Sequence, residues 1–452
     1  MSTLFTKYFK SAREAMQLAM PIIAGQLGMI LMGFFDTVQI GNLGADYIAA
    51  SGVGNTVYWI STLLGLGILM AVSPLVSEAR GAQKDWQAIG IYQSGIKIAL
   101  VVSIVFTGMV ALVALQFGWL GQTPKITALA AEFLLLVNIG TPAIMFATLY
   151  KQLLDGMGRT SIGMWVNIFA LVLNVWLNWL LIYGHWGLPA MGISGAAIAN
   201  VISRVAMLIA LYLFVRFDQQ VYQLKIEYDR AHSDEHNDYS AAILRIGIPY
   251  GLQMFFEVAA FGVAQIMAGW LGNTYSAAHQ MAINLASITF MITTGLSSAG
   301  TIMTGYHFGA KNQSGIRIAA ITVVLLTFTF ELTFAGLFIF FNEPLATLYT
   351  NNITLLAVAP GLILLAAFFQ LSDGLQSVAS GLLRGIQDVK IPSAMAFVSY
   401  WLIMIPACYL LAFTVGYGVK GIWIGFIIGL SFAAIILLLR FRWVLQRLAF
   451  EK

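Results

Sequence analysis

FDQQVYQLKIEYDRAHSDEHNDYS, residues 217–240, is the longest polar interruption in a chain of 452 residues and falls near its midpoint. On either side the sequence is apolar: 60% of all residues are hydrophobic, 9% are charged, and mean hydropathy is +0.85. Soluble domains carry roughly 25% charged residues, so this is the composition of an integral membrane protein. Apolar runs of about 20 residues or more recur along the chain, each able to cross roughly 30 Å of hydrocarbon as a helix. They are continuous and rich in Leu, Ala, Met and Gly, unlike the short alternating strands of a β-barrel.

Twelve helical crossings are expected, at 14–42, 49–79, 90–119, 126–149, 160–184, 191–215, 241–271, 275–309, 315–342, 351–382, 391–416 and 421–444. The first run is too long for the apolar region of a signal peptide and is expected to remain as a helix. All Lys and Arg except Lys97, Lys125, Arg204 and Lys420 fall in the segments that lie on one side when the N-terminus is inside. The positive-inside rule then places both termini in the cytoplasm. This explains the net charge of +4 without a nucleic-acid partner. The single cysteine, Cys408, excludes an internal disulfide.

Outward from the polar segment the two halves repeat. An offset of 228 residues brings Pro21 onto Pro249, Leu43 and Gly44 onto Leu271 and Gly272, Tyr47 onto Tyr275, Gly67 onto Gly295, and Gly81 onto Gly309. With a drift of one or two residues, LLDG at 153–156 meets LLRG at 382–385, and GISGAAI at 192–198 meets GVKGIWI at 418–424. The expected organisation is all-α, with six-helix lobes at 1–216 and 241–452, a cytoplasmic linker at 217–240 and a central cleft. An even number of crossings per repeat makes the lobes parallel, an arrangement suited to alternating access. The small-residue motifs are read as sites of close helix packing.

Five acids lie inside the expected helices away from their ends: Asp36, Glu132, Glu257, Glu331 and Asp373. Each costs about 2.5–3.5 kcal/mol on insertion scales unless a partner or polar cavity receives it, and none has an evident base one turn away. Glu132 and Glu331 are read mainly as packing groups. Asp36 in GFFDT, Glu257 in MFFEVAAFG beside Phe256, and Asp373 in FFQLSDG sit among aromatics, a pairing of charge and ring face that attracts organic cations. Helix five carries Asn167, Asn174 and Asn178, the last two on one face. Such amides beside a carboxylate suit a small hard cation or a held proton. Gln280 and Asn284 form a second such pair.

No HExxH, Walker A loop or Gly-rich dinucleotide turn is present, and no enzyme is expected. His232 and His236 are read as linker residues rather than metal ligands. A flippase for a lipid-linked sugar would need several cavity bases, and only Lys97 and Arg204 lie in helices away from the inner surface.

GFFDT, FFEVAAFG, QLSDGLQSVASGLLRG and GIWIGFIIGLSFAAI resemble the multidrug and toxic compound extrusion family, in particular its NorM-like bacterial branch. The resemblance covers nearly the whole chain. It implies a monomeric secondary antiporter of the bacterial inner membrane, in contact with lipid, that exports cationic or aromatic drugs in exchange for Na+ or H+ and needs no cofactor. It assigns Asp36, Asn174 and Asn178 to an ion or substrate site in the first lobe and Glu257 and Asp373 to one in the second. The three acids are the candidate Na+ ligands. Some relatives carry a tyrosine one turn before the tenth-helix acid, where this chain has Phe369, so a sodium ligand is expected to be lost. Finally, LLDGMGR and LLRGIQD place opposite charges at matched positions, Asp155 against Arg384 and Arg159 against Asp388. Two readings stand: a local i and i+4 pair in each loop, or complementary pairs between the loops that form a cytoplasmic gate.

Overall fold

The computed structural model describes residues 2–121, 123–231 and 238–448. His232 and His236 lie outside the described residues. Eleven helices are long and apolar enough to cross a membrane, and a bent pair makes a twelfth. In chain order these are α1 (Thr6–Gly41), α2 (Ala45–Gly81), α3 (Gln87–Leu115), α4 (Pro124–Asn138 with Thr141–Gly156, bent by 46°), α5 (Thr160–Tyr183) and α6 (Gly192–Phe217). After them come α7 (Ser240–Trp270), α8 (Asn273–Gly309), α9 (Gln313–Phe340), α10 (Ile353–Gly385), α11 (Lys390–Thr414) and α12 (Val419–Arg447). No strand is formed among the described residues.

The helices present apolar side chains outward as well as inward. On α3, Leu100, Val101, Ile104 and Leu112 are more than half exposed, a surface that suits hydrocarbon contact. The repeat also extends to the backbone. Gly44 and Gly272, matched by the 228-residue offset, take φ of +125° and +119° just before α2 and α8. That conformation is open to glycine and strained for other residues.

The chain divides into two compact units, Ala24–Gly251 in one, and the residues up to Ile23 together with those from Leu252 in the other. The lobes expected at 1–216 and 241–452 therefore exchange the beginnings of α1 and α7. The switch points, after residues 23 and 251, are themselves 228 apart. In one unit the start of α1 lies on α8, where a Cβ on Gly295 would come within 3.2 Å of the Ala19 carbonyl oxygen and the Ile23 nitrogen. In the other, the start of α7 lies on α2, and a Cβ on Gly251 would meet the Leu64 carbonyl oxygen at 2.7 Å.

Gln219–Ala231 is helical and packs on α3 and α6 through Val221, Leu224 and Tyr228, all buried. Their spacing of three and four residues is the amphipathic signature of a helix. The ring of Tyr228 lies 6.3 Å from that of Trp86.

Candidate functional site

In the unit Ala24–Gly251, Asp36 is 7% exposed and both of its oxygens are engaged. Asn178 of α5 donates its amide to Oδ1, and Asn200 of α6 donates to Oδ2 at 3.0 Å. Asn178 also donates to Asn174 Oδ1 at 3.3 Å, so Asn174 reaches the carboxylate through its neighbour rather than directly. Asn167 ties α5 to α1 separately, donating to the Gly25 carbonyl at 3.3 Å. Two orphans remain beside this clamp, Asn174 Nδ2 and Asn178 Oδ1, both buried without a hydrogen-bond partner. Asn200 was hidden in GISGAAIAN, where small residues drew attention to packing and the closing asparagine passed as part of the motif.

Asp36 and Asn200 border a cavity of about 260 Å³ whose walls include Trp59, Met29, Met207 and Arg204. The cavity lies entirely within this unit, between α1, α2, α4, α5 and α6.

The second unit holds its acids differently. Asp373 of α10 is 6% exposed and its Oδ1 has no hydrogen-bond partner. Glu257 of α7 is half-buried. Tyr400 of α11, wholly buried, lies beside both acids and beside Gln376, yet its hydroxyl closes no hydrogen bond of ordinary geometry. Gln376 Oε1 and Gln370 Oε1 are likewise buried and unpartnered. Glu331 of α9 joins this cluster. It is 3% exposed, accepts a hydrogen bond from Thr293 of α8, and lies against Gly374, where a Cβ would come within 2.7 Å of its Oε1. Its Oε2 is unpartnered. Buried polar groups are normally satisfied; here carboxyl and amide oxygens of Asp373, Glu331, Gln370 and Gln376 are left without a partner. Carboxyl and amide oxygens are the atom types that accept protons or ligate hard cations.

Phe369 is 3% exposed in a nest of rings, its centroid 6.0 Å from Phe261, 5.3 Å from Trp423 and 5.8 Å from Phe426. Phe256 packs edge to face on Phe397, 5.1 Å between centroids, and its carbonyl accepts from Trp401 Nε1 at 3.2 Å. Gln280 and Asn284 do pair, at 3.2 Å, but on the exposed face of α8, away from the buried carboxyls. Glu132 accepts from Ser194 Oγ at 2.6 Å in an exposed position.

The four charges of the gate reading each have a partner within their own unit. Lys151 pairs with Asp155 at 2.7 Å and Arg159 with Asp218 at 2.5 Å. Arg440 pairs with Asp388 at 2.7 Å, and Arg384 donates to Thr301 Oγ1 at 3.0 Å. No group of three His, Cys, Asp or Glu side chains among the described residues is placed to chelate a metal.

The MatE family model matches residues 21–180 and 249–410, the same two halves that the internal repeat delimits. The "Multidrug resistance protein NorM" of Vibrio vulnificus (strain YJ016) is 33% identical over 442 residues, covering 97% of this chain and 96% of that protein. The "Multidrug resistance protein MdtK" of Edwardsiella ictaluri (strain 93-146) is 31% identical over 448 residues, covering 98% and 97%. Among solved structures, the outward-facing conformation of a multidrug resistance MATE family transporter of the MOP superfamily superposes with a TM-score of 0.88 at 20% identity over 97% of each chain. The eukaryotic MATE transporter AtDTX14 gives 0.85 at 18%, over 98% of this chain and all of that one. At such identities the two structures speak for the fold alone.

Proposed function

The chain belongs to the MatE family of multidrug and toxic compound extrusion proteins, and on that premise we propose that it is a secondary antiporter exporting amphipathic drugs, organic cations foremost, in exchange for Na+ or H+. It would work as a monomer in a bacterial inner membrane with both termini in the cytoplasm, the orientation that the distribution of Lys and Arg supports. Coupling follows from occupancy: a ligand moves a two-state protein only through its differential affinity for the two states.

The observation that carries this reading is the acceptor cluster of Glu257, Asp373, Glu331 and Tyr400. None of its three acids is in a salt bridge among the described residues. Ionised carboxyls crowded together inside a membrane helix bundle are unfavourable until a cation or proton enters, which is the response required of a coupling site. In the other unit Asp36, Asn174, Asn178 and Asn200 form a second site, already closed by its own amides. The test is ethidium efflux from everted vesicles with sodium and proton gradients imposed one at a time. Acceleration by at least one gradient is expected; indifference to both would overturn the antiport.

A further inference from the structure

Glu132 is an acid that neither site uses. It lies on the exposed face of α4, eight residues beyond Pro124, and so about 12 Å along the axis from that end of the helix. Three spans precede α4, which puts the Pro124 end on the side opposite the N-terminus. On the same face Ala128, Leu135 and Ile139 are also exposed, at the spacing of three and four residues that aligns side chains on a helix. α6 packs alongside and extends the surface with Ile202, Val205 and Ile209, each more than a third exposed. An apolar surface shared by two adjacent spans suits lipid contact, and the carboxyl of Glu132 stands within it.

A carboxylate on such a face is unfavourable unless a donor or cation receives it. The protein supplies one donor, Ser194 Oγ of α6, which bonds to Oε1 at 2.6 Å. Among the described residues Oε2 accepts no hydrogen bond and no ion pair involves Glu132. Lys125, two turns nearer the helix end, is already paired with Asp46 at 2.6 Å. The hydrocarbon takes about 30 Å of a bilayer of about 40–45 Å, so a side chain about 12 Å from the end of a span lies within reach of the headgroups. We propose that Glu132 and Ser194 form a headgroup site for a phospholipid with a primary ammonium, a phosphatidylethanolamine. Its N–H groups donate to the free carboxylate oxygen, a charge-assisted bond, and its chains run deeper along Leu135, Ile139 and Ile202. Phosphatidylcholine has the same net charge without an N–H donor, and an anionic headgroup is repelled. The site stands apart from the ion and drug sites and does not depend on the antiport reading.

The purified full chain is exposed to equal amounts of phosphatidylethanolamine and phosphatidylcholine with matched acyl chains, and retained lipid is counted by native mass spectrometry. Wild type should retain the ethanolamine lipid about tenfold over the choline lipid, the preference expected of one charge-assisted hydrogen bond. Glu132→Gln keeps the shape of the side chain and an oxygen for Ser194, and should bring the ratio close to one. The N,N-dimethylethanolamine lipid, which keeps one N–H, should still displace the choline lipid from wild type. A second measurement needs no variant: a water-soluble carbodiimide should join phosphatidylethanolamine through an amide bond to the peptide that contains Glu132. Equal retention of the two lipids by wild type overturns the proposal, as does a preference that survives Glu132→Gln. Lipid adducts on other acids with none on Glu132 overturn it as well. Displacement by free ethanolamine as readily as by the ethanolamine lipid overturns the assignment to a lipid.

Discussion

The two units bury acids in opposite ways. Asp36 meets an amide at each oxygen, whereas Asp373 and Glu331 each leave an oxygen without a donor, with Tyr400, Gln370 and Gln376 unsatisfied around them. A carboxylate held by fixed donors contributes to the stability of the folded unit. One crowded by other acceptors opposes it and gains from any cation that arrives. The difference separates an acid that ties its helices together from acids that the proposed coupling reading assigns to an ion.

Neutralising the second site should have the largest effect on transport. Glu257→Gln and Asp373→Asn are each expected to reduce ion-driven ethidium efflux by about 5- to 150-fold, the span of a typical coupling free energy, with normal insertion. Wild-type ion dependence in both would erase the contrast between the units.

Thermal unfolding should separate them by sign. Asp36→Asn replaces an acceptor oxygen by an NH2 facing donors, and a loss of about 1–3 kcal/mol is expected. Asn200→Leu should resemble it. Asp373→Asn removes a charge from beside two other acids and should leave the melting temperature unchanged or raised. Equal destabilisation by Asp36→Asn and Asp373→Asn would show that both acids are structural.

Tyr400→Phe should weaken ion binding several-fold, about 1 kcal/mol for one hydrogen-bonding group, as measured by the sodium or proton concentration giving half-maximal efflux. Phe369→Tyr tests the same point from the other side. Its new hydroxyl enters a nest of rings and should lower stability by about 1–3 kcal/mol without altering ion dependence. A gain in sodium dependence would instead place the ion beside residue 369. Smallest of all is Gln280→Ala, whose pair is exposed on α8. Stability should stay within about 0.5 kcal/mol of wild type.

The sequence carried the fold because its signals are local or periodic. Apolar runs mark the spans, and the 228-residue offset already aligned Gly44 with Gly272 before their shared backbone conformation was known. The acids were legible because a carboxylate in an apolar run is anomalous by itself. Their partners were not, since partner choice depends on how helices distant in sequence are rotated against each other. Tyr400 lies in an aromatic run, VSYWLIM, with nothing to flag it. Glu331 reads from the sequence mainly as a packing group, and its proximity to Gly374 depends on the packing of α9 against α10. The helix Gln219–Ala231 was missed for a different reason: its charges outweighed Val221, Leu224 and Tyr228, whose spacing was readable.

The exchange of helix beginnings between the units has a consequence for biogenesis. The residues up to Ile23 are made before the unit Ala24–Gly251, yet the surface that receives them includes Gly295 on α8, which is made only after that entire unit. The opening turns of the first span must wait in the bilayer for a partner that does not yet exist. The unit Ala24–Gly251, by contrast, is complete as soon as the start of α7 has been inserted, and its assembly can precede translation of everything after it.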